Sequence, residues 1–401
     1  MTPDITRIGI AGTGLIGRGL VMTLEHRRDM RVTGILTRRR ATEQADLPRR
    51  DLLTASLTQL LDQCDLVVEC TGDVLRATDI VDAATRSQKP VVTMNSEFHV
   101  TTGSYFVDRG VVLTEAEGDQ PGSLAALAEE AREMGFRVLV YGNRKGYYNP
   151  KPSADQMRLW AAKQGLTLDQ VTAATDGTKM QIEQALVANG LGATLARDGM
   201  LGVECETLEE AGQALAAEAE KLGRPIADYA LGPRAAPGIF VSCETDPRQK
   251  PFLEYLKLGS GPFYVLARNH HLCHLEIAKT IQRVRQGRAA LLNNSRAPTV
   301  SVVAIAKRRL EPGGKIAKGI GSFDLRGEAV RIDAHPHHLP IGLAADAVVK
   351  RRVEADQHLT FDDVELSDSL ALTAWRALEL QRRASDRALK PDAAKESSPA
   401  S

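Results

Sequence analysis

The sequence predicts an α/β protein whose N-terminal part is a parallel, doubly wound sheet. Three observations carry this. An apolar run at residues 8–11 leads into Gly12, Gly14 and Gly17, spaced G-x-G-x-x-G, and a helical pattern follows over residues 15–24. Strand-like apolar runs then recur at residues 30–36, 65–72, 89–97 and 110–115. Residues 74–87 and 123–134 read as helices between and after them. Strands alternating with helices are the pattern of a parallel sheet covered by crossover helices.

Each element has its own reason. Gly12 suits a tight turn, Gly14 leaves the backbone open to a pyrophosphate, and Gly17 lets the helix approach the strand. With Thr13, Leu15 and Ile16 they form the expected phosphate-binding turn, where free N–H groups and the helix dipole face the ligand. The second strand ends in Thr37-Arg38-Arg39-Arg40. An acidic residue there would accept from a ribose 2′-hydroxyl. Arg38 and Arg39 instead suit a 2′-phosphate, so NADP(H) is expected over NAD(H). The next strand ends in Thr71 and Gly72, and Asn95 lies at the exit of the one after it. All three are expected at the carboxyl ends of the strands, where ligands bind.

The expected organisation is a Rossmann-type nucleotide domain over residues 1–140, including a strand at 136–141. An α+β substrate and dimerisation domain is expected over 141–292. A boundary is expected near 293–298, then a small β-rich module over 298–366. A helix near 370–383 leads to a tail, residues 390–401, expected to be disordered. Helices are expected at 153–164, 173–188, 208–222 and 275–285, with Asp176 or Thr178 capping the second. Strands are expected at 238–242, 263–267 and 300–306.

Composition narrows the function. The 401 residues carry 51 Lys+Arg and 51 Asp+Glu, so no bulk field favours nucleic acid or an acidic membrane. No apolar run is long enough to span a bilayer. The early first strand leaves no room for a signal peptide, and five scattered cysteines read as reduced thiols. A cytoplasmic protein acting on a small molecule is expected, as a homo-oligomer, dimer or tetramer.

Hydride transfer needs a group that exchanges the proton on the reacting oxygen. Lys145 and Lys179, each in a polar loop bracketed by glycine, are the candidates. Glu97, Glu117, Asp119 and Asp176 could form an acidic cluster that pairs with the lysines, binds substrate hydroxyls or holds Mg²⁺ or Mn²⁺. Asn143 and His270 are candidate substrate contacts. His270, His271 and His274 lack the spacing that puts three imidazoles on one helical face, which argues against zinc. His335, His337 and His338 are expected in an exposed loop.

Several of these motifs resemble a known family. The Gly12/Gly14/Gly17 fingerprint, Val67-Val-Glu-Cys-Thr-Gly72 and Lys89-Pro-Val-Val-Thr-Met-Asn95 resemble homoserine dehydrogenase. Asn95-Ser-Glu97, Gly118-Asp-Gln-Pro-Gly122, Gly142-Asn-Arg-Lys-Gly146 and Thr175-Asp-Gly-Thr-Lys179 resemble the DXR-like (DRL) branch of that superfamily. Residues 306–313, 339–343 and 359–366 resemble an SAF domain. The resemblance implies an NADP(H)-dependent oxidoreductase acting on a small polar hydroxy or keto compound. A 1-deoxy-D-xylulose 5-phosphate reductoisomerase-like reaction is one form of it. Homoserine or sugar-acid dehydrogenation, or a nucleotide sensor without turnover, are the alternatives. The SAF-like module would act as a lid or dimer element.

Overall fold

Val, Ile and Leu fill the strands and alternate with short polar turns, and these strands assemble into two main sheets. A computed structural model describes residues 5–40, 46–232 and 238–388. The expected tail, 390–401, lies outside the described residues.

The first sheet contains β1 (Thr6–Ala11), β2 (Met30–Leu36), β3 (Leu53–Thr54), β4 (Leu66–Glu69), β5 (Val91–Thr93) and β6 (Leu113–Glu115). Helices α1 (Leu15–Glu25), α2 (Leu57–Gln63), α3 (Val74–Arg86) and α4 (Ser96–Thr102) connect them. The strand order is β3-β2-β1-β4-β5-β6, and every pairing is parallel. The order reverses between β1 and β4, so the carboxyl ends of these strands form a ligand-binding crevice.

The second sheet follows α5 (Gln120–Glu133). Its strands are β7 (Arg137–Lys145), β8 (Val203–Glu204), β9 (Ile226–Leu231), β10 (Gly238–Glu244) and β11 (Tyr264–Arg268), in the order β11-β10-β7-β9-β8. Between them run α6 (Ala154–Gln164), α7 (Leu168–Thr175), α8 (Thr178–Leu191), α9 (Leu208–Leu222) and α10 (Lys250–Tyr255). Helix α9 covers one face through Ala211, Leu215 and Ala219, while α8 covers the other through Met180, Ile182 and Ala185.

Two expected boundaries move. The strand expected at 136–141 pairs with β9 and β10, not with β6, so the first domain stops before residue 140. Its remaining piece comes later: Ile277, Ala278 and Ile281 of α11 (Ile277–Arg285) share a buried cluster with Ile8, Leu20 and Val68. Apolar residues spaced i, i+1 and i+4 give α11 one buried face, and that face completes the nucleotide-domain core.

The stretch expected as a boundary, 293–298, is anchored. Asn294 is buried and bonds to Ser104 Oγ at 3.0 Å and to Asn189 Nδ2 at 2.8 Å. Beyond it lie β12 (Val300–Ala306), β13 (Lys315–Ile316), β14 (Leu325–Arg331), β15 (Ala347–Val349), β16 (Val364–Glu365) and α12 (Leu370–Ala388). Antiparallel β12 and β14 pack on α8, and Val302, Ala304 and Ala329 join the same buried cluster as Met180 and Ile182. The C-terminal strands thus share the core of the second sheet and α8 rather than forming a free-standing module. His338, expected in solvent, is buried: its Nε2 lies 2.7 Å from Ser301 Oγ and its ring packs edge-on against Trp375.

Candidate active site

The phosphate turn has the form that its glycines require. A Cβ on Gly17 would lie 2.1 Å from the Gly12 carbonyl oxygen, so only glycine lets α1 sit this close to the turn. A Cβ on Gly14 would meet nothing within 4 Å, which leaves its backbone open on the crevice side. Thr13 Oγ1 lies 3.2 Å from Thr37 Oγ1, tying the turn to the end of β2. Arg38, just beyond, is exposed and lies 3.5 Å from Asp73. Thr71 donates to the buried Glu69 through its backbone N–H at 2.8 Å and its hydroxyl at 2.6 Å, shaping the turn after β4. Asn95 caps α4 by accepting from Phe98 N at 3.0 Å.

The two candidate lysines meet at the carboxyl edge of this sheet. Lys145 ends β7, and Lys179 is the second residue of α8. Lys179 Nζ lies 3.8 Å from Asp119 and 3.4 Å from Glu183. Asp119 sits just ahead of α5. Glu183 is one turn along α8 from Lys179, a spacing at which side chains share a helix face. Asn143 donates to Glu183 Oε2 at 3.0 Å and to Gln120, so it is buried behind Glu183 and fixes it.

Electrostatics divide the lysines. Burial lowers the Lys145 amine below the usual lysine value, opposed by Glu183. Burial also acts against charge on Lys179, but Asp119, Glu97 and Glu183 outweigh it and hold that amine well above its usual value. Asp119 shows the reciprocal effect: burial is outweighed by Lys179, the Ser96 hydrogen bond and His271, so its carboxyl is lowered.

Glu117 and Asp176 leave the cluster for cations of their own, whereas Glu97 stays near Lys179. Glu97 is half-buried within the field of Lys179. Glu117 turns to Arg268 at 3.1 Å and Lys279 at 2.8 Å. Asp176 accepts from Lys307 Nζ at 2.6 Å and from Thr178 N at 2.8 Å, next to Gly177, which caps α8. Among the described residues, no group of three or more His, Cys, Asp or Glu is placed to hold a metal ion.

His270 is exposed. Its neighbour His271 reaches inward, with Nδ1 3.1 Å from the Gly118 carbonyl and its ring in the field of Asp119. The backbones pass so closely that a Cβ on Gly118 would lie 2.2 Å from the Cys273 carbonyl. Sequence reasoning missed His271, Glu183, Ser96 and Glu115. Only Glu183 had a signal, its i+4 spacing from Lys179.

Residues 118–277 match the model for the catalytic domain of the oxidoreductase DRL, and residues 12–105 match that for the NAD-binding domain of homoserine dehydrogenase. Together the two matches support the DRL branch of the homoserine dehydrogenase-like oxidoreductases. The first match contains Asp119, Asn143, Lys145, Lys179 and Glu183, and the second contains the glycine turn. This DRL-type chain is an NAD(P)-dependent oxidoreductase. Similar solved structures include a probable dehydrogenase from Thermotoga maritima (14% identity, TM-score 0.43, 72% of this chain and 91% of that one). Others are UDP-N-acetylglucosamine 3-dehydrogenase from Acidithiobacillus ferrooxidans (13%, 0.44, 72% and 92%) and S. aureus homoserine dehydrogenase (17%, 0.32, 46% and 50%). No curated protein matches. Among the described residues of this DRL-type oxidoreductase, no helix is long and apolar enough to cross a membrane.

Proposed function

We propose that this oxidoreductase uses NADP(H) to interconvert a hydroxyl and a carbonyl on a small polar substrate held between the two domains. The observation that carries this is the division of Lys145 from Lys179. Titratable neighbours whose environments push their pKa values apart mark acid–base roles. Lys145, lowered by burial, exchanges the proton of the substrate oxygen. Lys179 stays an ammonium, donates a hydrogen bond to that oxygen and stabilises its developing negative charge. The nicotinamide supplies or accepts the hydride. Glu183, pushed up by burial and fixed by Asn143, lies between the lysines and orients them. NADP(H) is favoured because β2 is followed by Thr37, Arg38 and Arg39, with no carboxylate in that run to accept from a 2′-hydroxyl.

The first substrate to test is 1-deoxy-D-xylulose 5-phosphate, with NADPH, with and without Mn²⁺. Homoserine and sugar acids follow with NADP⁺. Once a substrate is found, Lys145→Ala is expected to lower kcat at least about a hundredfold with cofactor affinity within about twofold. Tight NADPH binding with no turnover across the panel would instead support a nucleotide sensor.

A further inference from the structure

Behind Lys179 lies a buried chain of polar groups that hydride transfer does not itself require. Ser96 opens α4 and is fully buried. Its Oγ lies 2.8 Å from Asp119 Oδ2 and 3.2 Å from Glu115 Oε1. The other Glu115 oxygen lies 2.7 Å from His99 Nδ1, and neither side chain has exposed surface. A serine hydroxyl has one proton to donate. Two ionised carboxylates cannot both receive it.

The geometry allows one consistent arrangement. The shorter contact takes the serine proton, so Ser96 donates to Asp119. Glu115 then carries its own proton on Oε1 and donates it to Ser96, while its Oε2 accepts from His99 Nδ1–H. His99 Nε2 is buried without a hydrogen-bond partner, which suits a bare nitrogen of a neutral ring better than the N–H of a cation. Burial and Asp119 push the Glu115 carboxyl well above its usual value, and burial lowers His99 to about 3, in agreement.

We propose that Ser96 is a positioning residue: held by a neutral Glu115, it aims the Asp119 carboxylate at Lys179 and so fixes that lysine as the charged member of the pair. The inference rests on the division of lysine roles proposed above. The groups in the field of the Asp119 carboxylate are Glu115 from β6, Lys145 from β7, Lys179 and Glu183 from α8, and His271 and Cys273 from the loop before α11, while from α4 Glu97 acts on Lys179 and Glu115, and His99 on Glu115. Ser96 is the hydroxyl bonded to both Glu115 and Asp119.

The test needs no substrate. The rate of Lys179 acetylation by acetic anhydride, read by peptide mass spectrometry against an exposed lysine of the same chain, reports any shift in the midpoint at which the amine loses its proton, because below that midpoint the rate rises about tenfold for each pH unit by which the midpoint falls. Asp119→Asn sets the scale by removing the charge. Ser96→Ala is expected to lower the midpoint by about one pH unit, and Ser96→Thr, which keeps the hydroxyl, to restore it. Glu115→Leu, which frees Ser96 without changing it, is expected to act like Ser96→Ala. Glu115→Gln is expected to leave the midpoint in place, because the amide still donates to Ser96 and accepts from His99. A midpoint that moves in Asp119→Asn but not in folded Ser96→Ala or Glu115→Leu overturns the positioning role. A fall in Glu115→Gln as large as in Glu115→Leu overturns the neutral Glu115. NADPH and NADH binding, followed by fluorescence on the same proteins, separates the two readings. A chain that binds neither sinks the oxidoreductase site, whereas the Ser96 result is read independently.

Discussion

Lys307→Met tests whether the C-terminal strands hold helix α8. Lys307 Nζ lies 2.6 Å from Asp176 Oδ2 and donates to the Ser322 carbonyl at 2.6 Å, with 5% and 0% of the two ionic side chains exposed. Removing one member of a buried pair costs about 3–5 kcal/mol, because the other charge stays buried without its partner. Methionine fills the same space, so the loss isolates the charge. The sign of the pH dependence follows from Asp176. Burial already pushes its carboxyl above 3.8, against the pull of Lys307. Without the lysine it rises further. A group whose folded value is raised is most stabilising below its unfolded value and loses that contribution as pH rises through the folded one. The deficit of Lys307→Met is therefore largest at neutral pH. It shrinks by up to about 1.4 kcal/mol for each pH unit of descent between the variant's folded value and the lower folded value of the wild type. Urea midpoints at pH 7.5 and 5.0, followed by tryptophan fluorescence, measure both. The double variant Asp176→Asn/Lys307→Met is expected to regain all but about 1 kcal/mol, since asparagine still accepts from Thr178 N. Full stability of the single variant at pH 7.5, or a deficit that stays constant to pH 5.0, would refute the reasoning.

Other outcomes follow from features already described. Gly17→Ala puts a Cβ 2.1 Å from the Gly12 carbonyl, so NADPH affinity measured by titration calorimetry is expected to fall at least about tenfold, ~1.4 kcal/mol. Replacing Arg38 and Arg39 with alanine should weaken NADPH about tenfold or more and NADH by less than about threefold. Equal losses would sink the 2′-phosphate assignment. Burial lowers His338 from 6.5 to about 4, so the folded state refuses a proton that the unfolded state binds. Stability is then lost as pH falls from neutrality, and this one group accounts for about 2 kcal/mol by pH 5. His338→Gln should flatten the stability–pH curve by that amount, and an unchanged curve would count against the buried neutral ring.

Most of the first sheet was legible because its signals are local. Apolar runs gave β1, β2, β4 and β5, and the glycine turn placed α1. Helix α9 fell where its amphipathic period put it. The strand at 137–145 was equally legible as a strand, but its sheet was not. Buried parallel and mixed-sheet strands have the same apolar composition, and only the long-range pairing with β10 decides between them. The lysines were found because Gly-bracketed polar loops stand out. Ser96, Glu115 and His271 were not, since a buried serine or glutamate has no sequence mark apart from its partners. Glu117 and Asp176 misled for the same reason: their cations, Lys279 and Lys307, lie more than a hundred residues away. His338 looked exposed because its loop is polar, and Trp375, which covers it, comes from the last helix.

The nucleotide domain is made of two pieces of chain, with the catalytic sheet emerging between them. Ile277, Ala278 and Ile281 of α11 close over Ile8 and Leu20, so this hydrophobic core is incomplete until the chain has passed residue 281. During synthesis the phosphate-binding turn appears early, yet the layer beneath it arrives only after β7–β11 have been made. The ribosome therefore presents an apolar surface that waits for its cover. A fragment ending near residue 140 is expected to be sticky and short-lived, and adding residues 277–285 in trans is the direct way to quiet it.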